Sequence, residues 1–186
     1  MAYFPLFIDI SKKNVLVVGG GKVGTRKVKN LLPFTKNITI VSPRITKELE
    51  ELVRENNLKW IKRRFRPIDL KEKDIVVVAV NDLKLQKRIY ELCQKKRILC
   101  NAVDSPDYCN FIFPSLIRRG NLVIGISTSG RIPALSRTLR EKLDKFIPEN
   151  IEEIMKKLEK VRSSEKKGAE RQKKLLYLAR KFLQNF

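Results

Sequence analysis

A glycine-rich loop is the most specific chemical signal in the sequence. Residues 19–24 match the pattern G-x-G-x-x-G directly after an apolar run, Val15 to Val18. In this pattern the first glycine permits a tight turn, the second lets the backbone approach a pyrophosphate, and the third allows a helix to pack closely on a strand. The N-terminus of that helix adds free N–H groups and a partial positive charge. We therefore predict a dinucleotide site that includes Gly19, Gly21, Lys22, Val23 and Gly24.

The glycine-rich loop has two alternative interpretations. A glycine-rich turn at the end of a strand can be merely structural. A Walker A loop needs lysine followed by Ser or Thr after its last glycine, whereas Gly24 is followed by Thr25 and Arg26, so that loop is excluded.

The segment expected to contact the adenosine ribose lacks the usual acidic residue. Where a carboxylate commonly binds the ribose hydroxyls, the chain reads Val41-Ser42-Pro43-Arg44. Ser42 can hydrogen-bond a ribose, and Arg44 could accept a 2′-phosphate. We assign Ser42, Pro43 and Arg44 to the cofactor site, and these residues alone leave NAD and NADP both open.

Asp104 is the candidate proton acceptor. The chain contains no histidine, so any proton transfer must use a carboxylate, lysine, tyrosine or cysteine. Asp104 follows the apolar run Ile98 to Val103, which predicts a position at the carboxyl end of a sheet, where open α/β folds bind ligands. The alternative is that Asp104 caps the turn over residues 104–107, and both roles could coexist.

A second polar segment precedes a predicted helix. Ser127, Thr128 and Ser129 form a hydroxyl-rich loop that suits a carboxylate or a phosphate, and ordinary turn and cap chemistry is the alternative. Nearby arginines could bind acidic groups, although surface arginine is commonly just solvated. No metal site is predicted, because histidine is absent and the three cysteines are too widely spaced. The arginines are Arg118, Arg119, Arg131, Arg137 and Arg140.

The elements that must position these residues follow a βα rhythm. Apolar runs rich in Val and Ile alternate with segments of helical periodicity, which predicts an α/β fold with a Rossmann-type parallel sheet. The strands are predicted at 15–18, 38–41, 75–80 and 98–103, and the helices at 23–32, 46–55 and 83–96. A further strand at 122–127, a helix from Pro133 and a helical hairpin at 151–161 and 169–182 complete the expected chain.

Composition limits the partners. The 186 residues carry a formal charge of +21, which favours acidic ligands. Three readings compete, namely a nucleic-acid binder, a lysine-rich thermophile surface and a small polyanionic substrate. Lysine and arginine are spread along the whole chain, which argues against a dedicated nucleic-acid face. No apolar run is long enough to cross a bilayer, and Cys93, Cys100 and Cys109 are interpreted as buried cytosolic thiols.

Several separate motifs resemble one known family. The segment Val17 to Lys27 looks like V-G-G-G-x-V-A-x-R-K, and Asn101 to Asp104 resembles N-V-V-D. Phe111 to Ser115 resembles F-I-x-P-S/A, and Ile126 to Arg137 resembles I-S-T-x-G-x-S-P-x-L-A-R. The order and spacing agree from about residue 4 to residue 148. The chain thus resembles the precorrin-2 dehydrogenase and sirohydrochlorin ferrochelatase family.

The resemblance implies an NAD-dependent enzyme that oxidises precorrin-2 to sirohydrochlorin in siroheme biosynthesis, and many members then insert ferrous iron. It implies that NAD is the cofactor and that Asp104 takes part in both reactions. It also implies a homodimer. The residues themselves lead us to expect a cytoplasmic protein that binds no nucleic acid and no membrane. We expect a Rossmann domain at 1–113, a dimerisation and substrate segment at 114–146 and a C-terminal helical domain at 147–186.

The chain departs from the family pattern at a few positions. Ala79 to Asp82 stands where A-A-T-D-D is usual, Gln86 stands near a usual asparagine, and Gly24 replaces a usual alanine. The first two departures put the nicotinamide side in question. A rival interpretation, an NAD-sensing regulatory domain, would share the glycine loop but normally keeps the acidic ribose ligand and needs no I-S-T-x-G segment.

Overall fold

The computed structural model describes residues Tyr3 to Leu183. The chain divides into two compact units, with the boundary between Ile112 and Phe113. A separate division of the second part at residue 146 stays a prediction.

The first unit consists of parallel strands that alternate with helices. The strand Val15–Gly20 (β1) leads into the helix Lys22–Leu31 (α1). Single turns of 3-10 helix lie at Pro67–Leu70 and Pro106–Tyr108. The remaining elements are β2 (Ile38–Ile45), α2 (Lys47–Glu55), β3 (Lys59–Ile61), β4 (Ile75–Val78), α3 (Leu83–Lys95) and β5 (Leu99–Ala102).

These five strands form one sheet in the order β3-β2-β1-β4-β5, and every neighbouring pair is parallel. The chain moves outward from β1 in one direction through β2 and β3 and then crosses back to β4. This reversal between β1 and β4 is the switch point at which doubly wound sheets bind dinucleotides. The predicted Rossmann-type α/β fold is confirmed.

The core explains why these segments become central strands. Leu16, Ile40 and Val76 are fully buried, and every residue of β1 and β4 is buried, as expected of central parallel strands that are covered on both faces. Each such residue contributes roughly 1.5 to 3 kcal/mol through burial. Thr46 and Asp82 accept backbone hydrogen bonds at the N-termini of α2 and α3 and so fix where those helices begin.

The second unit begins with an antiparallel hairpin. Strands β6 (Ser115–Arg119) and β7 (Leu122–Ile126) are joined by a tight turn in which Gly120 has a φ of 57°. Helix α4 (Pro133–Phe146) packs on the hairpin, and an ion pair of 2.9 Å between Arg119 and Asp144 links β6 to α4. Helices α5 (Ile151–Ser164) and α6 (Ala169–Leu183) pack against each other, as the predicted helical hairpin requires.

The predicted elements are present, with small differences at their ends. β4 ends at Val78, β5 spans only Leu99–Ala102, and β7 ends at Ile126, because the flanking residues turn toward loops. β3 and β6 were not predicted. The three cysteines are buried free thiols, as expected. None of the helices within residues 3–183 is long and apolar enough to cross a membrane.

Candidate functional site

The glycines of the loop between β1 and α1 have different structural roles. Gly19 has a φ of 106°, and a Cβ built on it would lie 2.2 Å from the carbonyl oxygen of Ala79. Gly24 is equally confined, since α1 packs directly on the end of β1. A Cβ on Gly21 meets no atom within 4 Å. Gly19 and Gly24 are therefore required by packing, whereas Gly21 keeps the backbone open to a ligand.

The N-terminus of α1 is left without a capping side chain. Gly21 is the N-cap residue, and the first turn contains no acidic residue. Lys22 is exposed and Val23 is half-buried. Thr25 uses both its N–H and its hydroxyl to contact the Gly21 carbonyl, at 2.9 and 3.0 Å. The first-turn N–H groups have no acceptor inside the helix, so this end presents donors and positive potential to an anion.

The end of β2 lies directly beside the loop. Gly20 pairs with Ile45, the Thr46 N–H donates to the Gly20 carbonyl at 3.0 Å, and a Cβ on Gly20 would lie 2.7 Å from the Arg44 carbonyl oxygen. The Ser42 hydroxyl donates to that same Arg44 oxygen at 2.6 Å. The structure thus places the predicted Ser42, Pro43 and Arg44 next to the glycine loop, with Pro43 and Arg44 exposed.

Asp104 lies beyond the carboxyl end of β5 and is exposed. Its φ of 61° is in the left-handed region, which aspartate tolerates better than most residues. The described part of the chain offers its carboxylate no hydrogen-bond partner, so the alternative role as a turn cap is not seen. The Ser105 N–H instead closes the turn on the Ala102 carbonyl. Because all five strands are parallel, Asp104 and the glycine loop stand at the same edge of the sheet.

Lys27 on α1 was missed as a site residue. It is half-buried and close enough to Asp104 and Cys109 to interact electrostatically with both. Burial of the amine, reinforced by neighbouring Arg26, lowers the pKa of Lys27 to about 8, against the opposing influence of Cys109 and Asp104. A chain without histidine thus holds an amine that titrates near neutral pH beside its candidate base. The only sequence signal for Lys27 is its position at the end of the segment that resembles the family's V-G-G-G-x-V-A-x-R-K pattern.

Gln86 is a second residue whose role the sequence did not show. Its side-chain N–H donates to the Val80 carbonyl at 2.7 Å and so fixes the loop after β4. Its amide oxygen is buried without a hydrogen-bond partner among the described residues. An unpaired buried acceptor is costly, so the packing of α3 against this loop carries a local energetic penalty.

The predicted loop of Ser127, Thr128 and Ser129 lies in the second unit, between β7 and α4. The Ser127 hydroxyl accepts from the Ser129 N–H at 3.0 Å, and Thr128 Oγ1 accepts from the Ile132 N–H at 3.1 Å. Ser129 and Gly130 both have positive φ angles, 56° and 75°. Turn and cap chemistry is therefore present at Ser127 and Thr128, and the hydroxyl of exposed Ser129 makes no hydrogen bond with another described residue.

The geometry fits a dinucleotide. A pyrophosphate fits at the open position of Gly21 and the uncapped N-terminus of α1, and a ribose fits at the adjacent end of β2. The close packing at Gly19 and Gly24 fixes the loop and the helix relative to the strand. Within residues 3–183, no group of three or more Cys, His, Asp or Glu side chains could hold a metal ion.

Comparisons with known proteins agree with this geometry. Residues 6–115 match the model of a family described as "Putative NAD(P)-binding". The siroheme synthase of Blochmanniella pennsylvanica (strain BPEN) is 45% identical over 151 residues, 81% of this chain and 31% of that protein. The siroheme synthase of Buchnera aphidicola subsp. Acyrthosiphon pisum (strain APS) is 38% identical over 156 residues, 84% of this chain and 33% of that protein. The chain thus spans about a third of the length of these relatives.

A solved structure is similar over most of the chain. The structure of SirC, precorrin-2 dehydrogenase, has a TM-score of 0.76 and 27% sequence identity, and the match covers 95% of this chain and 89% of that chain. The chain therefore belongs to this NAD(P)-binding family, and its predicted place beside the precorrin-2 dehydrogenases and siroheme synthases is confirmed.

Proposed function

We propose that the chain oxidises precorrin-2 to sirohydrochlorin with NAD as the hydride acceptor. The observation that carries this proposal is the position of Asp104, exposed and without a hydrogen-bond partner in the described chain, at the edge of the sheet that holds the glycine loop. The similar SirC protein is a precorrin-2 dehydrogenase, which supports the same reaction here.

The cofactor and the protein residues have different roles in the proposed reaction. When bound, NAD would supply the acceptor for the hydride released as a C–H bond of the macrocycle breaks. The loop around Gly21 and the N-terminus of α1 bind the pyrophosphate and so fix the nicotinamide relative to the substrate. Asp104 accepts the proton that leaves the macrocycle and, being exposed, releases it to water. Lys27 lies close enough to Asp104 to interact with it electrostatically.

Recognition of the substrate is proposed to depend on its carboxylate arms. The acetate and propionate groups of the macrocycle are anionic, and the formal charge of the chain is +21. The hydroxyl of exposed Ser129, which makes no hydrogen bond with another described residue, suits such a carboxylate. We propose no nucleic-acid partner, since the basic residues are distributed over both units.

We further propose that the same site inserts ferrous iron into sirohydrochlorin, a lyase activity. Insertion replaces two pyrrole protons by Fe²⁺, so the protein must accept protons close to the macrocycle. Asp104 can serve this step as well, with the iron held by the ring nitrogens. The name siroheme synthase, carried by the related proteins, supports this second activity.

Helix α4 supports a homodimer, which we also propose. One face of α4 packs on the hairpin through Ser136, which is buried. Another face exposes an apolar stripe with helical spacing, and each of its side chains is 40 to 70% exposed. A second copy of the chain would cover this stripe by an isologous contact. The stripe consists of Ile132, Leu135, Leu139, Leu143 and Phe146.

The test of the proposed function is an assay of the purified chain with precorrin-2 and NAD under anaerobic conditions. We expect NADH and sirohydrochlorin to form in equal amounts, and siroheme to follow when ferrous iron is added. A chain that binds NAD without turning over precorrin-2 would instead match the regulatory interpretation. We propose the cytoplasm as the location, in keeping with the three free thiols.

A further inference from the structure

We propose that Lys27 binds one of the carboxylate arms of the macrocycle, so that this residue recognises the anionic tetrapyrrole and not the cofactor. The inference rests on the proposed function, because it takes the macrocycle to lie beside Asp104. Acetate and propionate groups surround the macrocycle, so a lysine next to the reacting ring meets one of them.

The first observation is the position of Lys27 against the loop that carries Asp104. Lys27 is close enough to Asp104 and Cys109 to interact electrostatically with both. The Cys109 thiol lies 3.2 Å from the Ala102 carbonyl oxygen and 3.4 Å from the Ser105 carbonyl oxygen. These two carbonyls precede and follow Asp104 in the chain. Lys27 therefore lies beside the turn that positions the candidate proton acceptor.

The second observation is the distance of Lys27 from the end of α1 that suits a pyrophosphate. Lys27 comes five residues after Lys22, the first residue of α1, which corresponds to about 7.5 Å along a helix axis. The N–H groups without acceptors inside the helix belong to its first turn. Lys27 is therefore placed beside the proposed substrate, next to the loop after β5, and away from the pyrophosphate.

The third observation is the electrostatic state of the amine. Burial of Lys27, reinforced by Arg26 on the same helix, lowers its pKa to about 8, although Cys109 and Asp104 oppose this effect. The negative charge near Lys27 is thus too small to offset the burial of its ammonium. A substrate carboxylate beside the ammonium favours the protonated form and raises the pKa. Binding should therefore take up about 0.5 proton per site at pH 8 and about 0.1 at pH 7.

The test is isothermal titration of the full chain with sirohydrochlorin at pH 8 under anaerobic conditions, in two buffers of different ionisation enthalpy. The difference between the two heats gives the number of protons taken up. Lys27→Met keeps the length of the side chain without its charge. We expect it to weaken sirohydrochlorin binding by about 10- to 100-fold and to abolish the uptake that the wild type shows above it.

Lys27→Arg should retain most of the affinity without the proton uptake, because arginine stays charged at this pH. NAD affinity should stay within about 3-fold of the wild type in both variants. Lys29→Met is the matched control, since it removes the same charge from an exposed side chain of the same helix. It should change neither the sirohydrochlorin affinity nor the proton uptake.

The proposal is overturned if Lys27→Met binds sirohydrochlorin as tightly as the wild type, if Lys29→Met weakens binding equally, or if Lys27→Met weakens NAD instead. Urea unfolding of Lys27→Met identifies a role in packing alone. A loss of stability with affinity and proton uptake unchanged would show such a role and also overturn the proposal.

These outcomes separate the inference from the proposed function. If the wild type fails to oxidise precorrin-2 but binds sirohydrochlorin with proton uptake through Lys27, the oxidation is refuted and this inference stands. If Lys27→Met oxidises precorrin-2 with the kcat and KM of the wild type, this inference is refuted and the oxidation stands. A wild type that does not bind sirohydrochlorin would overturn both.

Discussion

The carbonyl oxygen of Gly19 occupies the space that a side chain at Gly24 would need. A Cβ built on Gly24 lies 2.2 Å from that oxygen and 3.0 Å from the Gly19 carbonyl carbon. The end of β1 and the first turn of α1 are therefore packed backbone to backbone, and this contact fixes the direction in which the helix N-terminus points. The alanine that is more usual in the family would require α1 to shift away from the strand here.

Gly24→Ala is accordingly expected to destabilise the protein by about 1 to 3 kcal/mol, because an added methyl group overpacks a contact with backbone that cannot turn aside. Chemical denaturation with NAD absent measures this change. A variant as stable as the wild type would show that α1 moves at little cost.

The sequence predicted the parts of the fold that depend on local composition. Runs of valine and isoleucine such as Val15 to Val18 specified buried parallel strands, and the glycine spacing specified the turn into α1. β3 was missed because it has only three residues and begins at exposed Lys59, and β6 because two of its five residues are arginines. Lengths and polarity of this kind do not distinguish an edge strand from a loop.

The parts of the site that depend on tertiary packing could not be predicted. The position of Asp104 beyond β5 could be predicted because a residue directly after a strand run has a defined place in an open sheet, and its role in catalysis stays a prediction. Lys27 lies near Asp104 only because α1 packs against the sheet, and no local sequence pattern predicts that packing. The unpaired oxygen of Gln86 likewise appears only when α3 is placed against the loop at Val80.

Gly21 tests the cofactor site without disturbing the fold. A side chain there meets no protein atom within 4 Å, and Gly21 has an extended backbone conformation that any residue adopts. Gly21→Val should lower the stability only by about 1 kcal/mol, because valine is a poorer N-cap residue than glycine, and should abolish NAD binding measured by calorimetry. Gly168→Val, at another open glycine, is the control and should bind NAD normally. Unchanged NAD affinity in Gly21→Val would remove the pyrophosphate from this loop.

An ion pair of the first unit predicts a dependence of stability on pH. Arg63 binds both oxygens of Asp69 at 2.8 and 2.6 Å, and the Arg66 N–H donates to the same carboxylate. Burial opposes ionisation of Asp69, but these partners outweigh it and hold its pKa below the ordinary value. Since the folded state binds this proton less readily than the unfolded state, the contribution is complete above the unfolded pKa and disappears as pH falls through the folded pKa.

Asp69→Asn should therefore cost about 2 kcal/mol at pH 7, a value below that for a fully buried pair because the Arg63 side chain is 30% exposed. The difference from the wild type should shrink below about pH 4, near the ordinary carboxyl pKa. Urea unfolding across this range measures it. Glu72→Gln, in an exposed pair with Lys71, should change stability very little at any pH. If Asp69→Asn lowered the free energy of unfolding equally at low pH, the contribution of Asp69 would come from its shape and not from its charge.

The apolar stripe of α4 predicts the assembly state. Leu139 lies near the middle of the stripe, and a charge there would be buried without a partner in the proposed dimer. Leu139→Glu should shift the wild-type dimer to monomer in sedimentation experiments, whereas Thr138→Glu, at an exposed position outside the stripe, should not. A monomeric wild type would refute the proposed homodimer.

NADH formation from precorrin-2 in Asp104→Asn tests the proposed dehydrogenase mechanism most directly. Asparagine keeps the size of the side chain and tolerates the left-handed backbone at this position, while it cannot accept the proton. We expect the variant to fold, to bind NAD as the wild type does, and to lose about 10² to 10⁴ in rate, the usual effect of removing a general base. Asp107→Asn, an exposed neighbour, is the matched control and should stay active. Full dehydrogenase activity in Asp104→Asn would contradict the role of Asp104 as the proton acceptor.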